Sequence, residues 1–205
     1  QTIITNDIIP NKILIILSGE ARLLGGTEIN STSVSKIGPN SYIGLLSLLS
    51  AKSSEFITAS SEVIALSLPD KLILELYEKE KEFRDWCNSK IHKAEIYNLT
   101  LKIESDNPKC NLSTKEIFEL ISKNIELETI KDSPIKINNN FKYFIASGNV
   151  IDQEIYTIIN STVNIKTREN LPARILKLDN SLYEEISNNI LKEKLFLNSN
   201  INNSV

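Results

Sequence analysis

The sequence IGPNSYIGLLSLL at Ile37–Leu49, together with SGEARLL at Ser18–Leu24, decides the fold of this chain. In both stretches glycine stands beside short apolar runs, a pattern typical of tight turns between β-strands. Asn40 suits such a turn because asparagine adopts the left-handed backbone conformation more readily than most residues. The two stretches predict the paired turns of an antiparallel β-roll that wraps a short apolar helix at Leu46–Leu49.

Short apolar segments rich in Ile, Val, Leu and Thr continue this pattern from Gln1 to Leu68, as β-strands do. The predicted strands are Thr2–Thr5, Ile13–Leu17, Ala21–Leu24, Val34–Ile37, Phe56–Ala59 and Val63–Leu68. Pro69 then begins a helix, since proline suits the first helical position. Apolar residues at helical spacing predict a long helix from about Glu82 to Leu101.

The same kind of pattern begins again after the predicted linker Asp106-Asn107-Pro108. Ser113 and Glu116 predict a capping box that opens a helix through about Lys123. The predicted strands that follow are Leu127–Lys131, Ile135–Ile137, Phe141–Ala146, Ile155–Ile159, Val163–Lys166 and Ala173–Leu178. Asp179 or Ser181 is predicted to cap a last helix through about Phe196, followed by a frayed tail rich in Asn and Ser.

An internal repeat joins the two parts of the chain. Lys12–Ala21 aligns with Phe141–Val150. Val63–Leu68 aligns with Ala173–Leu178, and a helix is predicted to follow each of these two strands. We therefore predict a mainly β chain with flanking helices, an α+β fold. It would consist of two tandem β-rolls of the jelly-roll or double-stranded β-helix kind, residues 1–104 and 105–205.

Composition excludes several classes of function. The formal net charge is −3, and neither half carries a cluster of Lys and Arg, so we expect no nucleic-acid partner. No apolar run is long enough for a membrane-spanning helix, so we expect no membrane insertion by these residues. His92 is the only histidine, which argues against a jelly-roll metalloenzyme because such a site needs several converging ligands.

The cysteine and methionine content bears on compartment and completeness. Cys87 and Cys110 lie far apart, which favours reduced thiols in the cytoplasm, and Cys87 is interpreted as a buried thiol on a helix face. Arg168 and Arg174 are interpreted as surface charges. The chain contains no methionine, so we expect it to be a piece of a longer protein.

The order of strands, turns and short helix resembles the cyclic-nucleotide-binding domain family. In that family a Gly-Glu pair, the N-terminus of the short helix and an arginine bind the ribose and phosphate of the ligand. Leu45 stands at the glutamate position and Ser53 at the arginine position, so both charged contacts are missing. The resemblance implies a vestigial ligand cassette formed by Tyr42, Gly44, Leu45, Leu46, Ser47, Ser53 and Ser54.

A charged hydrogen bond contributes about 1.5–3 kcal/mol. Loss of the arginine alone is therefore expected to weaken phosphate binding roughly tenfold to more than a hundredfold. Lys52 offers only a point charge in its place. We therefore expect no cofactor and no effective binding of a cyclic nucleotide. The second roll lacks the glycines of such a cassette between Gly148 and Leu171 and is interpreted as a scaffold.

Three stretches of the first half are similar to the N-terminal regulatory modules of bacterial peptidase-containing ABC exporters, which secrete toxins and bacteriocins. The stretches are Gly19–Leu24, Ile43–Leu49 and Glu55–Leu66. This resemblance implies a non-catalytic regulatory or interaction module at the cytosolic face of the inner membrane. Its partners would be other domains of the same transporter polypeptide, and a homodimer through helix 82–103 is a further expectation.

A transcription regulator of the catabolite-activator type is the alternative, because such proteins also join a roll to a long helix. They require a winged helix-turn-helix with a basic recognition helix. Helix 113–123 is the one candidate, and there Lys115 and Lys123 are offset by Glu116 and Glu119. Strands rather than a second helix are predicted to follow it, which disfavours this alternative.

Overall fold

A computed structural model describes residues 1–26, 31–168 and 170–188. In the first half, strands and one short helix alternate as β1 (Thr2–Ile4), β2 (Lys12–Ser18), β3 (Ala21–Gly26), β4 (Ser31–Ile37), β5 (Tyr42–Ile43), α1 (Leu45–Leu49), β6 (Phe56–Ala59) and β7 (Ile64–Pro69). Three helices complete this half: α2 (Asp70–Lys79), α3 (Lys81–Ser89) and α4 (Lys93–Asp106).

The second half opens with a helix and returns to strands. Its elements are α5 (Thr114–Asn124), β8 (Ile125–Ile130), β9 (Ser133–Ile135), β10 (Phe141–Ile145), β11 (Ile158–Ile159), β12 (Val163–Ile165), β13 (Ala173–Asp179) and α6 (Asn180–Ser187). The predicted continuation of the last helix to Phe196 and the tail after it lie outside the described residues. Residues 146–157, between β10 and β11, form turns and loops apart from an isolated β-bridge between Val150 and Thr167.

The strands form two antiparallel sheets in each half. The first half has the orders β1-β6-β3-β4 and β5-β2-β7, and the second half has β11-β10-β13-β8 and β12-β9. The aligned strands pair alike: β2 with β7, from Lys12 opposite Pro69, and β10 with β13, from Phe141 opposite Asp179. The predicted fold class, mainly β with flanking helices, is confirmed.

Several local predictions from turn and cap chemistry are confirmed. Asn40 has a φ of 65° in the turn before β5. Ser113 and Glu116 form a capping box at the start of α5, and the Asp179 side chain accepts a hydrogen bond from the Leu182 N–H at the start of α6. These features depend on residues close together in sequence, which is why the sequence alone predicts them.

The prediction of one continuous helix from Glu82 to Leu101 is wrong. The backbone is extended at Lys90 and again at His92, between α3 and α4. Glu95 accepts a hydrogen bond from the His92 N–H at 3.0 Å, and the two residues form a capping box that starts a new helix. Ile91 packs against a hydrophobic cluster shared with the second half. A new cap and a partly buried side chain at the break therefore outweigh continuous helical periodicity.

The two halves share hydrophobic clusters. Leu99 and Ile103 of α4 pack in one cluster with Ile117 of α5 and Leu176 of β13. Leu171, which precedes β13, joins another cluster that contains Leu48 of α1. Much of the apolar face of α4 is therefore covered within the chain, and the homodimer through residues 82–103 stays a prediction.

The interpretation of Arg174 as a surface charge is wrong, because only 1% of this residue is exposed. Sequence pattern places it on a strand but does not reveal that α4 of the first half covers that strand. Arg168 is exposed as expected, and Cys87 is buried as expected.

Candidate functional site

A sharp turn at Gly44 sets the position of the short helix α1. Gly44 has a φ of +89°, in the left-handed region that side chains disfavour, and it is the N-cap of α1. A Cβ at this position would lie 3.0 Å from Cγ of Pro10 and 3.1 Å from Cδ1 of Ile4. Both the conformation and the close approach require glycine. Every residue of α1 is buried, so the helix is fixed inside the first roll.

The carboxylate of Glu55 occupies the N-terminus of α1. Its Oε1 accepts a hydrogen bond from the Gly44 N–H at 3.2 Å. Its Oε2 accepts one from the Ser47 N–H at 3.1 Å and one from the Ser47 hydroxyl at 2.9 Å. Ser47 Oγ in turn accepts from the Ser54 N–H at 3.2 Å. We call Gly44, Ser47, Ser54 and Glu55 the α1 cradle.

Glu55 is buried without a cationic partner among the described residues, and only 6% of it is exposed. Burial raises the pKa of this carboxyl, while the hydrogen bonds from Ser47 and Gly44 oppose that rise. The backbone N–H groups and the partial positive charge of a helix N-terminus stabilise an anion at this place. Glu55 therefore takes up the hydrogen bonds that the N-terminus of α1 offers.

The residues predicted as a vestigial ligand cassette fall into four groups. Gly44, Ser47 and Ser54 come together in the α1 cradle. Leu45 and Leu46 are buried apolar residues of α1 that pack in different clusters, and neither lies among the hydrogen-bonding groups of the cradle.

Ser53, at the predicted arginine position, turns away from the cradle. Its hydroxyl donates to the backbone oxygens of Thr5 at 3.2 Å and Ile8 at 3.1 Å. It therefore holds the loop before β2 rather than facing α1. This arrangement leaves the cradle without a charge at the position where the family resemblance implies an arginine.

Tyr42, the remaining predicted residue, lines a cavity of about 260 Å³ beside the cradle. Its ring makes edge contacts with Trp86 at 5.2 Å and with His92 at 5.7 Å between ring centroids. Glu55 and His92 also line this cavity. The start of α4 therefore closes over the interior of the first roll at the same place where α1 begins.

His92 is held neutral at this position. Its Nε2 atom is buried with no hydrogen-bond partner. Burial lowers the pKa of the ring to about 4; Glu95 opposes this effect, and Arg174 and Lys90 add to it. A neutral imidazole packed against Tyr42 contributes no positive charge to the cavity.

Two buried charged residues that govern this region, Glu55 and Arg174, were not identified as functional from the sequence. Glu55 carries a weak signal: it is an acidic residue directly before an apolar strand and follows the predicted arginine position by two residues. Arg174 carries none, because its partner Glu95 is distant in sequence and lies on another element.

The part of the chain that the structure describes contains no group of three or more His, Cys, Asp and Glu residues that could hold a metal ion. Within the same residues, no helix is both long and apolar enough to cross a membrane.

Comparison with known proteins gives a sparse result. No family model matches the chain, and no curated protein matches it. Among solved structures, the regulatory domain of Toxoplasma gondii PKA with cAMP has a TM-score of 0.38 at 12% identity, over 95% of this chain and 82% of that one. A cyclic nucleotide-binding domain from Methylobacillus flagellatus has a TM-score of 0.37 at 16% identity, over 53% of this chain and 60% of that one. Both TM-scores lie below 0.5, and the chain is not assigned to a family.

Proposed function

We propose that this chain is a non-catalytic regulatory or interaction module built from two tandem β-rolls of the cyclic-nucleotide-binding type, with boundaries near residues 1–104 and 105–205. In this proposal the first roll no longer binds a cyclic nucleotide, because the carboxylate of its own Glu55 occupies the position of the ligand phosphate. The second roll carries no cassette and acts as a scaffold. The equivalent antiparallel pairing of β2 with β7 and of β10 with β13 supports the tandem arrangement.

The observation that carries the proposal is the position of the Glu55 carboxylate. It takes the hydrogen bonds of Gly44 and Ser47 at the start of α1, which are the groups best placed to bind an anionic ligand. A ligand phosphate would have to displace this side chain or lie beside it.

The wider context follows from the resemblance described above. We propose that the module belongs to a toxin- or peptide-secreting ABC transporter, lies at the cytosolic face of the inner membrane and contacts other domains of the same polypeptide. The alternative, a transcription regulator, receives little support from the described residues. There α5 is followed directly by β8 at Ile125 rather than by a second, recognition helix.

Calorimetry with cyclic AMP and cyclic GMP tests the loss of the ligand. We expect no saturable heat from the wild-type chain at ligand concentrations up to about 1 mM, which corresponds to binding weaker than about −4 kcal/mol. Saturable binding in the micromolar range or tighter would contradict the proposal. Cyclic AMP is titrated in parallel into ¹⁵N-labelled protein so that the amide signals of Gly44 and Ser47 report on the cradle directly.

The variant Glu55→Ala tests whether this carboxylate is what blocks the cradle. Removing it frees the N–H groups of Gly44 and Ser47, so we expect cyclic AMP to shift both amide signals at least tenfold more strongly than in the wild type. Glu62→Ala removes an exposed acidic residue and is the matched control, which should behave as the wild type. Equal responses of Glu55→Ala and Glu62→Ala would contradict the blocking role of Glu55.

A further inference from the structure

A fully buried ion pair connects the two halves. Arg174 of β13 donates from Nε to Oε1 of Glu95 at 2.6 Å and from Nη2 to Oε2 at 2.9 Å. Both residues are only 1% exposed. Such a two-point contact between a planar guanidinium and a carboxylate fixes orientation as well as distance. The first turn of α4 is therefore held in one position relative to β13.

The Arg174 side chain also binds the end of α3 and the break before α4. Nη2 donates to the backbone oxygen of Lys90 at 2.6 Å, and Nη1 donates to the backbone oxygen of Cys87 in α3 at 3.5 Å. The last residues of α3 and the first turn of α4 are thus bound by one side chain from the second half. The N-terminus of α4 also carries His92, which lines the cavity beside the α1 cradle.

A second contact binds the opposite end of α1. The Gly148 N–H donates to the backbone oxygen of Ser50, the C-cap of α1, at 2.7 Å. A Cβ on Gly148 would lie 3.0 Å from the backbone oxygen of Ala51 and 3.2 Å from Cβ of Lys52. The backbone of the second half therefore approaches α1 too closely for most side chains. Leu171 adds an apolar contact to the cluster that contains Leu48.

We propose that the second half is an internal brace that fixes α1 and α4 of the first half in a single arrangement, with Arg174 as its central positioning residue. The α1 helix is bound at its N-terminus by Glu55 and at its C-terminus by Gly148. The α4 helix is bound at its first turn by Arg174. The positions of both helices are set by contacts within the chain rather than by a ligand.

This inference rests on contacts between the halves and holds whether or not the proposed function is correct. Nucleotide binding in calorimetry would contradict the proposed function without altering these contacts. Loss of the brace would appear as local opening of α1 and α4, which calorimetry with nucleotides does not measure. The two ideas therefore fail in different experiments.

Hydrogen–deuterium exchange of the full 205-residue chain tests the brace with Arg174→Met. We expect amide exchange in residues 93–106 and 45–52 to become faster. The acceleration there should be at least tenfold larger than in β3 and β6, which belong to the sheet β1-β6-β3-β4. Lys177→Met is the matched control, because it also removes a cation from β13. The Lys177 side chain binds the exposed Glu126, whereas that of Arg174 binds α4. It should leave exchange in α1 and α4 within about twofold of wild type.

Two further variants keep the proposal falsifiable if Arg174→Met fails to fold. Glu95→Gln combined with Arg174→Met removes both buried charges and leaves an acceptor for the His92 N–H, so folding is retained while the two-point contact is lost. Gly148→Ala should accelerate amide exchange in residues 45–52. It should change the exchange rates of residues 93–106 by less than fivefold. The proposal would be overturned if, in all of these variants, amide exchange accelerated no more in α1 and α4 than in β3 and β6.

Discussion

The strand pair β2–β7 in the first half and the pair β10–β13 in the second half have the same register and different surroundings. A helix follows directly after Pro69 in one pair and after Asp179 in the other. The aligned residues Leu66 and Leu176 nevertheless differ completely in burial, with 48% of Leu66 exposed and 0% of Leu176. The same local pairing therefore supports a surface strand in one half and a core strand in the other.

The neighbours of each strand explain this difference. β13 pairs with β8 on its second edge and is covered by residues of α4 and α5. β7 pairs only with β2 among the described residues and lies at the edge of its sheet. An apolar strand sequence thus shows only that its residues are suited to burial. Whether a given residue is buried depends on the elements that pack against the strand.

Alanine substitutions at the two aligned leucines give the largest expected contrast. Leu176→Ala should lower the free energy of unfolding by about 2–5 kcal/mol, because it removes a fully buried side chain from a shared core. Leu66→Ala should cost no more than about 0.5–1 kcal/mol, since surface substitutions change stability little. Urea denaturation of the two variants and the wild type measures both values. Equal losses would show that the burial contrast does not govern stability.

His92 gives a pH-dependent effect of intermediate size at the place where the two halves meet. Its pKa is lowered by burial to about 4 from an ordinary value of 6.5, so the unfolded chain binds the proton more readily than the folded one. This residue therefore stabilises the fold above the unfolded pKa, and the stabilisation is lost as the pH falls through the folded pKa. The expected loss is about 3 kcal/mol as the pH falls from about 7 to about 4.

The measurement compares the wild type with His92→Asn, which keeps a residue suited to the N-cap and removes the titrating ring. Urea denaturation at several pH values gives the difference in unfolding free energy between the two proteins. As the pH falls below about 6.5, the ordinary pKa of histidine, the wild type should lose more stability than His92→Asn. A difference independent of pH would mean that the ring titrates as it does in the unfolded chain.

The smallest expected effect concerns Lys177, which aligns with Ser67 of the first half. Lys177, whose own side chain is mostly buried, reaches Glu126 at 3.0 Å and Glu128 at 3.8 Å, and the two carboxylates remain accessible to solvent. Lys177→Ser, which places the residue of β7 on β13, should cost about 0–1 kcal/mol, because ion pairs with solvent-accessible carboxylates contribute little. The loss should shrink further in high salt. A cost of several kcal/mol that salt leaves unchanged would contradict this account.

Local chemistry made part of this structure predictable from sequence. The left-handed turn at Asn40, the capping box from Ser113 to Glu116 and the cap at Asp179 each depend on residues within a few positions of one another. Gly44 belongs to the same class, because a glycine before a short apolar run is typical of a turn into a helix. Strand periodicity likewise sufficed for the mainly β fold class.

The remaining features depend on contacts between residues distant in sequence. Glu55 reads as an ordinary acidic residue until α1 is folded above it, and only then does its carboxylate reach the N–H groups of Gly44 and Ser47. Arg174 reads as a surface charge until α4 covers β13. The break before Lys93 is not visible in the sequence because helical periodicity continues through it, and a partly buried Ile91 gives no distinct signal there.

The spacing of the buried ion pair has a consequence for synthesis of the chain on the ribosome. Glu95 and Arg174 are 79 residues apart. At elongation rates of about 5–20 residues per second, Glu95 is made roughly 4–16 s before its partner. During that interval the Glu95 carboxylate lacks its partner, and the apolar face of α4 lacks the residues of β13 that later pack in the same cluster. The nascent first half therefore waits for most of the second before it reaches its final packing, and slowing translation between these residues would prolong the period in which chaperones can bind it.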